Sequence, residues 1–195
     1  MFVTLTVSSA LLACAPDAGD AGTPAPAPSR VAAVAVDPAT VDRPEDFCDV
    51  WLDEAHAKPF PAVELDEGAW GPHATWRWVN VWATWCGPCV AEMPRLQKWD
   101  EKLRAEGTPV ELVFLSVDKN RALVERWRDQ HPGSPPSLRI ADESLLKGWI
   151  GALGLEEGTA IPIHAFVDPQ DRLRCLRTGG LGDHHLASVR ALLRQ

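Results

Sequence analysis

The stretch Val79-Asn80-Val81-Trp82-Ala83-Thr84-Trp85-Cys86-Gly87-Pro88-Cys89-Val90-Ala91-Glu92-Met93-Pro94 decides how this chain folds. An apolar run ends in two cysteines spaced C-x-x-C, and an amphipathic stretch follows. The pattern predicts a strand, a sharp turn and a helix, with the cysteines at the turn. Cys86 then sits at a helix N-terminus, where unpaired N–H groups and the helix dipole stabilise a thiolate. Cys89 follows one turn later, with its sulfur on the same helix face. Pro88 suits the first helical turn, where its missing N–H costs little. A dithiol held this way closes a disulfide or attacks one. Zinc also takes closely spaced cysteine pairs, so half of a zinc site is the alternative. No second Cys/His pair has the spacing to complete it.

The chain has 195 residues, enough for one domain with a sizeable core. Hydrophobic residues make up 46% and charged residues 24%, as in a soluble globular protein. The formal net charge is −8 and no basic stripe offsets it, which excludes nucleic acid as the main partner. Residues 2–13 are small and apolar, too few to span a bilayer but matching the core of a secretory signal. Leu11-Leu12-Ala13-Cys14 resembles a bacterial lipobox, with Cys14 as the lipid attachment site, although no Lys or Arg precedes it. The alternative is an apolar N-terminus with an ordinary cysteine. Residues 1–14 are thus expected to be a lipoprotein signal segment and 15–43, rich in Ala and Pro, a disordered tether. As a coil that tether reaches roughly 30 Å. Residues 44–195 form the expected domain.

Within it, residues 44–57 carry Phe47, Val50, Trp51 and Ala55 on one helical face, with Glu45 and Asp46 in the first turn. Residues 60–65 have the pattern of a strand, and Asp66-Glu67-Gly68 that of a turn. Residues 75–83 are the central strand, apolar enough for burial on both faces. The helix after Cys86 is expected to reach Glu106 and stop at Gly107, kinked at Pro94. A buried strand at 110–117, a helix at 119–131, a short strand at 138–141 and a helix over 145–153 follow. Strands 163–167 and 173–177 form a hairpin about Asp168-Pro169-Gln170-Asp171. Asp183 is the expected cap of a last helix.

Trp85-Cys86-Gly87-Pro88-Cys89 resembles the thioredoxin superfamily. The longer run from Val79 through Glu92 to Pro94 resembles its membrane-anchored TlpA/ResA branch. The resemblance covers roughly residues 59–194. It implies an α/β protein: a thioredoxin-like three-layer α/β/α sandwich with a mixed central sheet, here with an added N-terminal helix. Cys86 is the implied exposed nucleophile and Cys89 the buried cysteine that resolves the mixed disulfide. Gly87 and Pro88 are the pair of reducing thioredoxins. They point to a potential nearer thioredoxin's, about −270 mV, than DsbA's, about −120 mV.

Asn80 departs from thioredoxin, where a buried aspartate at this place helps move the proton of the second cysteine. The TlpA/ResA pattern instead offers Glu92, one helical turn from Cys89, as the acceptor of that proton. On spacing alone a solvated helix glutamate fits equally well. Pro162 matches the cis-proline that faces the C-x-x-C in the superfamily, with Ile161 offering backbone hydrogen bonds to substrate. A trans proline opening a strand is the alternative. Trp85 resembles the family's surface aromatic beside the dithiol.

Cys48 and Cys175 remain. Some TlpA-like proteins pair an N-terminal cysteine with one near the last hairpin, and an oxidising compartment favours such a structural bridge. Two free buried thiols are the other possibility. His164 is expected to be a strand residue satisfied locally, a copper or proton-transfer role being the unsupported alternative, and the His184-His185 pair solvated surface.

The resemblance implies an extracytoplasmic thiol–disulfide oxidoreductase that reduces protein disulfides, for instance in cytochrome c or copper-site maturation. A disulfide-containing protein is its substrate and a membrane thiol transporter its electron donor. A lipid tethers it in the cell envelope, and no cofactor or metal is implied. A thioredoxin-like module holding Cu(I) on Cys86 and Cys89 is the second possibility, thiolates being soft ligands. A peroxidase of related fold is the third.

Overall fold

A computed structural model describes residues 43–195 of the chain. The expected signal segment, nearly all of the tether, and Cys14 lie outside the described residues. The element order is α1 (Pro44–Phe47), β1 (Val50–Trp51), β2 (Lys58–Pro59), β3 (Trp76–Trp82), α2 (Gly87–Ala105), β4 (Val110–Ser116), α3 (Arg121–Gln130), β5 (Ser137–Arg139), α4 (Ser144–Leu153), β6 (Ile163–Val167), β7 (Arg172–Thr178), a 3-10 turn (Asp183–His185) and α5 (Leu186–Leu192).

All seven residues of β3 are buried, as a strand covered on both faces requires. β4 pairs with it in parallel and β6 antiparallel. The sheet runs β1-β7-β6-β3-β4-β5, with β2 also paired to β7. Strand alternation sends Trp78, Asn80 and Trp82 to one face. There Trp78 meets Trp99 of α2, and Trp82 meets Trp127 of α3. Val79, Val81, Ala165 and Ile163 fill the other face and are fully buried. The result is the mixed sheet with flanking helices of a thioredoxin-like fold. Gly107 and Gly154, at φ +74 and +96, take the left-handed conformation just beyond α2 and α4 that a side chain resists.

Three expectations fail. The helix expected over residues 44–57 stops at Phe47. Beyond it, the amides of Asp49 and Leu52 donate to Leu176 and Arg174 of β7, and β1 replaces helix. Pairing with a distant strand overrides the local apolar periodicity. The strand expected at 60–65 is absent. Pro59 and Pro61 lack donors, and beyond the Phe60 amide's bond to Asp171 the segment meets the sheet through an isolated bridge from Leu65 to Ile140. Asp183 does not cap the last helix. It opens the 3-10 turn, behind Gly182, and pairs instead with Arg95 of α2 at 2.8 Å.

Candidate active site

Cys86 is the N-cap of α2, and its Sγ accepts the Cys89 amide at 3.3 Å. The sulfur thus takes one of the donors a helix start leaves unpaired. Cys86 and Cys89 are joined as a disulfide with Cα atoms 5.3 Å apart. In that state Cys86 is 5% exposed and Cys89 fully buried, so the first cysteine is less open than the resemblance implies. Trp85 beside it is 69% exposed, and Gly87 and Pro88 are exposed at the head of the helix.

From the opposite side, Ile161 brings its carbonyl oxygen to 3.7 Å from Cys86 Sγ. The Ile161–Pro162 peptide is cis. The start of β6 and the start of α2 therefore meet at Cys86. The second bridge joins Cys48, just past α1, to Cys175 on β7, with Cα atoms 5.6 Å apart.

Glu92 is 2% exposed and is no solvated helix residue. Its Oε1 accepts from Asn80 Nδ2 at 2.9 Å, and its Oε2 from the Leu181 amide at 2.8 Å. Arg95, one turn of α2 further on, donates to the Leu181 carbonyl at 2.8 Å. Both sides of Leu181 are thereby clipped to the helix that carries the dithiol.

Two groups at the site go beyond the sequence reading, one unnamed there and one expected only as a strand residue. The first is Asp118, 1% exposed, which holds the turn ahead of Cys86. It accepts the Thr84 amide, the Thr84 hydroxyl and the Ser116 hydroxyl. The Asp118 backbone carbonyl accepts in turn from Arg139 at 2.8 Å. A signal existed: β4 is parallel to β3, so a polar residue just past its end falls beside the C-x-x-C turn. The second is His164, fully buried, whose Nδ1 accepts from Trp78 Nε1 at 3.2 Å. Its Nε2 has no hydrogen-bond partner but lies 3.4 Å from Glu92 Oε1. The local satisfaction expected of this residue is therefore only half met. Nor is His185 plain solvated surface: it is half-buried against Phe47 and accepts the Gly182 amide at 2.9 Å.

Among the described residues no cluster of His, Cys, Asp and Glu could hold a metal, and no helix is long and apolar enough to cross a membrane.

Comparison with known proteins follows the same lines. The family model described as Redoxin matches residues 77–193. The thiol-disulfide oxidoreductase ResA of Oceanobacillus iheyensis is 40% identical over 53 residues, 27% of this chain and 27% of that protein. Over it and three further curated relatives the match spans 27–61% of their length, short of two thirds. A thioredoxin-related protein of Neisseria meningitidis serogroup B is similar in structure, with TM-score 0.51 and 30% identity. That match covers 63% of this chain and 87% of that one. A secreted thiol-disulfide isomerase of Corynebacterium glutamicum shares the fold, with TM-score 0.56 at 21% identity, over 74% of this chain and 90% of its own. With a sheet, helices and C-x-x-C turn arranged as described, and a family match over more than half its length, the chain belongs to the Redoxin family.

Proposed function

We propose that this chain is an extracytoplasmic thiol–disulfide oxidoreductase that reduces disulfides in other proteins through Cys86 and Cys89. The observation that carries this reading is the placement of Cys86 Sγ. It caps the start of α2 and lies 3.7 Å from the Ile161 carbonyl oxygen, and its chain neighbours Trp85, Gly87 and Pro88 are exposed.

In the reduced protein the Cys86 thiolate attacks one sulfur of a substrate disulfide. A Cys86–substrate bond forms, the substrate S–S bond breaks, and the released thiolate takes a proton from water. Ile161 and cis Pro162 hold the substrate segment alongside, and Trp85 shields the sulfurs. Cys89 then gives its proton to Glu92 and attacks Cys86 Sγ. The Cys86–Cys89 disulfide forms and the second substrate thiolate leaves, taking its own proton. Two electrons have passed to the substrate, and the oxidised site is the form described above.

A membrane thiol transporter returns those electrons, and a lipid on Cys14 keeps the domain beside it. The lipobox-like Leu11-Leu12-Ala13-Cys14 and the Cys48–Cys175 bridge support a location outside the cytoplasm, where such bridges persist. The resemblance favours substrates in cytochrome c or copper-site maturation.

Trapping tests the function. A Cys89→Ser variant, expressed in the envelope, should hold its substrate as a mixed disulfide on Cys86 that dithiothreitol releases. A variant that captures no protein under conditions where Cys86 alkylates freely contradicts the reading.

A further inference from the structure

His164 lies beside Glu92, and the mechanism above does not use it. It sits on β6 directly opposite Asn80 of β3 and Arg177 of β7, so the three polar residues form a row across one face of the sheet. Glu92 comes down onto that row from α2.

The hydrogen bonds fix how His164 carries its proton. An indole N–H only donates, so His164 Nδ1, which faces Trp78 Nε1 at 3.2 Å, must accept. Asn80 Nδ2 lies 3.4 Å from the same nitrogen and also bonds Glu92 Oε1. A flipped Asn80 would set its oxygen against two acceptors, so the amide has one consistent orientation. With two donors on Nδ1, the ring proton belongs on Nε2. That atom lies 3.4 Å from Glu92 Oε1, within reach of a hydrogen bond that the oxidised site does not make.

We propose that His164 is a positioning residue for Glu92: Trp78 and Asn80 lock it as an Nε2–H donor, which holds Glu92 Oε1 ready for the Cys89 proton. This rests on the reading of Glu92 given above. Turned onto Oε1, that N–H is a hydrogen-bond donor to a buried carboxylate, and such a donor favours the ionised form. Losing that donor should move the ionisation that gates the resolving step to higher pH. Other ionisable groups near this row are Arg177 on β7, Arg95 of α2 with its partner Asp183, and His185 with His184 in the 3-10 turn. Burial, then the charges of His184 and Arg177, hold the His185 ring below the ordinary histidine value.

The test isolates the resolving step. Reduced protein reacts with excess 5,5′-dithiobis(2-nitrobenzoate), which leaves a thionitrobenzoate on Cys86. Attack by Cys89 expels it as a coloured thiolate and closes the Cys86–Cys89 disulfide. The first-order rate of that release is followed against pH. His164→Leu should slow release at neutral pH on the order of tenfold, less than the hundredfold that loss of a proton-transfer group costs. Its rising limb should shift to higher pH, and His164→Gln, which keeps a donor near Nε2, should return the limb to its original place. A His164→Leu profile that superimposes on the unaltered one overturns the proposal. So does a His164→Gln limb displaced as far as that of His164→Leu, since packing would then be the whole role.

Glu92→Gln separates the two claims. If it leaves rate and profile unchanged, the reading of Glu92 falls and this proposal with it. If it removes the limb while His164→Leu leaves it in place, only the role of His164 falls. Should His164→Leu not fold, ring-nitrogen NMR of the unaltered protein decides. A proton on Nε2 in both redox states supports the lock, and a proton on Nδ1 overturns it.

Discussion

Asp118 Oδ2 accepts the backbone amide of Thr84 at 2.9 Å while its Oδ1 accepts the Thr84 hydroxyl at 2.7 Å. One buried carboxylate at the end of β4 thus fixes the turn that aims Cys86. Arg139 braces it from behind, donating to the Asp118 carbonyl and pairing with Asp66 at 2.6 Å. The nucleophile is therefore positioned from three sides: the start of α2, the Ile161 carbonyl, and this clamp.

Removing the clamp should affect both stability and chemistry. Asp118→Ala leaves the part-buried Thr84 donors and the buried Ser116 hydroxyl without their acceptor, at a cost of about 1–3 kcal/mol. Urea denaturation of the oxidised protein measures this. Attack of Cys86 on a model disulfide should slow as well, because the turn before it is no longer held. An unchanged denaturation midpoint would remove Asp118 from the account of the site.

The Cys48–Cys175 bridge spans 127 residues of sequence and ties the end of α1 to β7. Replacing both cysteines by serine should lower stability by roughly 2–5 kcal/mol, as for native bridges that close long loops. The dithiol itself lies elsewhere, so the Cys86–Cys89 potential should stay in place. Equilibrium denaturation and a glutathione titration of the same variant check the two halves separately.

Acid should weaken the protein through Asp66. Burial pushes its carboxyl up, but hydrogen bonds from Arg139 and then Arg121, with their charges, leave it below the ordinary aspartate value. Arg121 makes a close ion pair with it. The folded chain then binds this proton less readily than the unfolded one. The stabilisation is complete above about pH 4, the value in an unfolded chain, and is lost as pH falls through the folded value. Asp168 behaves alike, its burial outweighed by bonds from Arg172 and Gln170. Thermal midpoints of the unaltered protein and Asp66→Asn should therefore differ at neutral pH and converge in strong acid. A gap that stays constant with pH contradicts this.

What the sequence made legible was local. The apolar run into Cys86 and the amphipathic run after it are visible within a few turns, and β3 and α2 stand where that pattern puts them. The hairpin of β6 and β7 is equally local, set by its turn residues. Features fixed by distant partners were not legible in the local pattern, and Pro162 and the Cys48–Cys175 pairing were reached only through the resemblance. Asp49 and Leu52 leave the helical pattern because β7 supplies acceptors far along the chain. Asp183 turns to Arg95 rather than to its own helix. His164 looked like any strand residue, since Trp78, Asn80 and Glu92 reach it only through the sheet and the helix above it. Glu92 is singled out by the resemblance and not by spacing alone, and its buried setting includes Leu181, which Arg95 also holds.

The reduction potential of the Cys86–Cys89 couple tests the central claim most directly. Equilibrating the protein with glutathione buffers of graded ratio, and counting free thiols at each, gives that potential. A reductant of protein disulfides predicts a value close to thioredoxin's, about −270 mV. A value close to DsbA's, about −120 mV, would make the dithiol an oxidant and contradict the account.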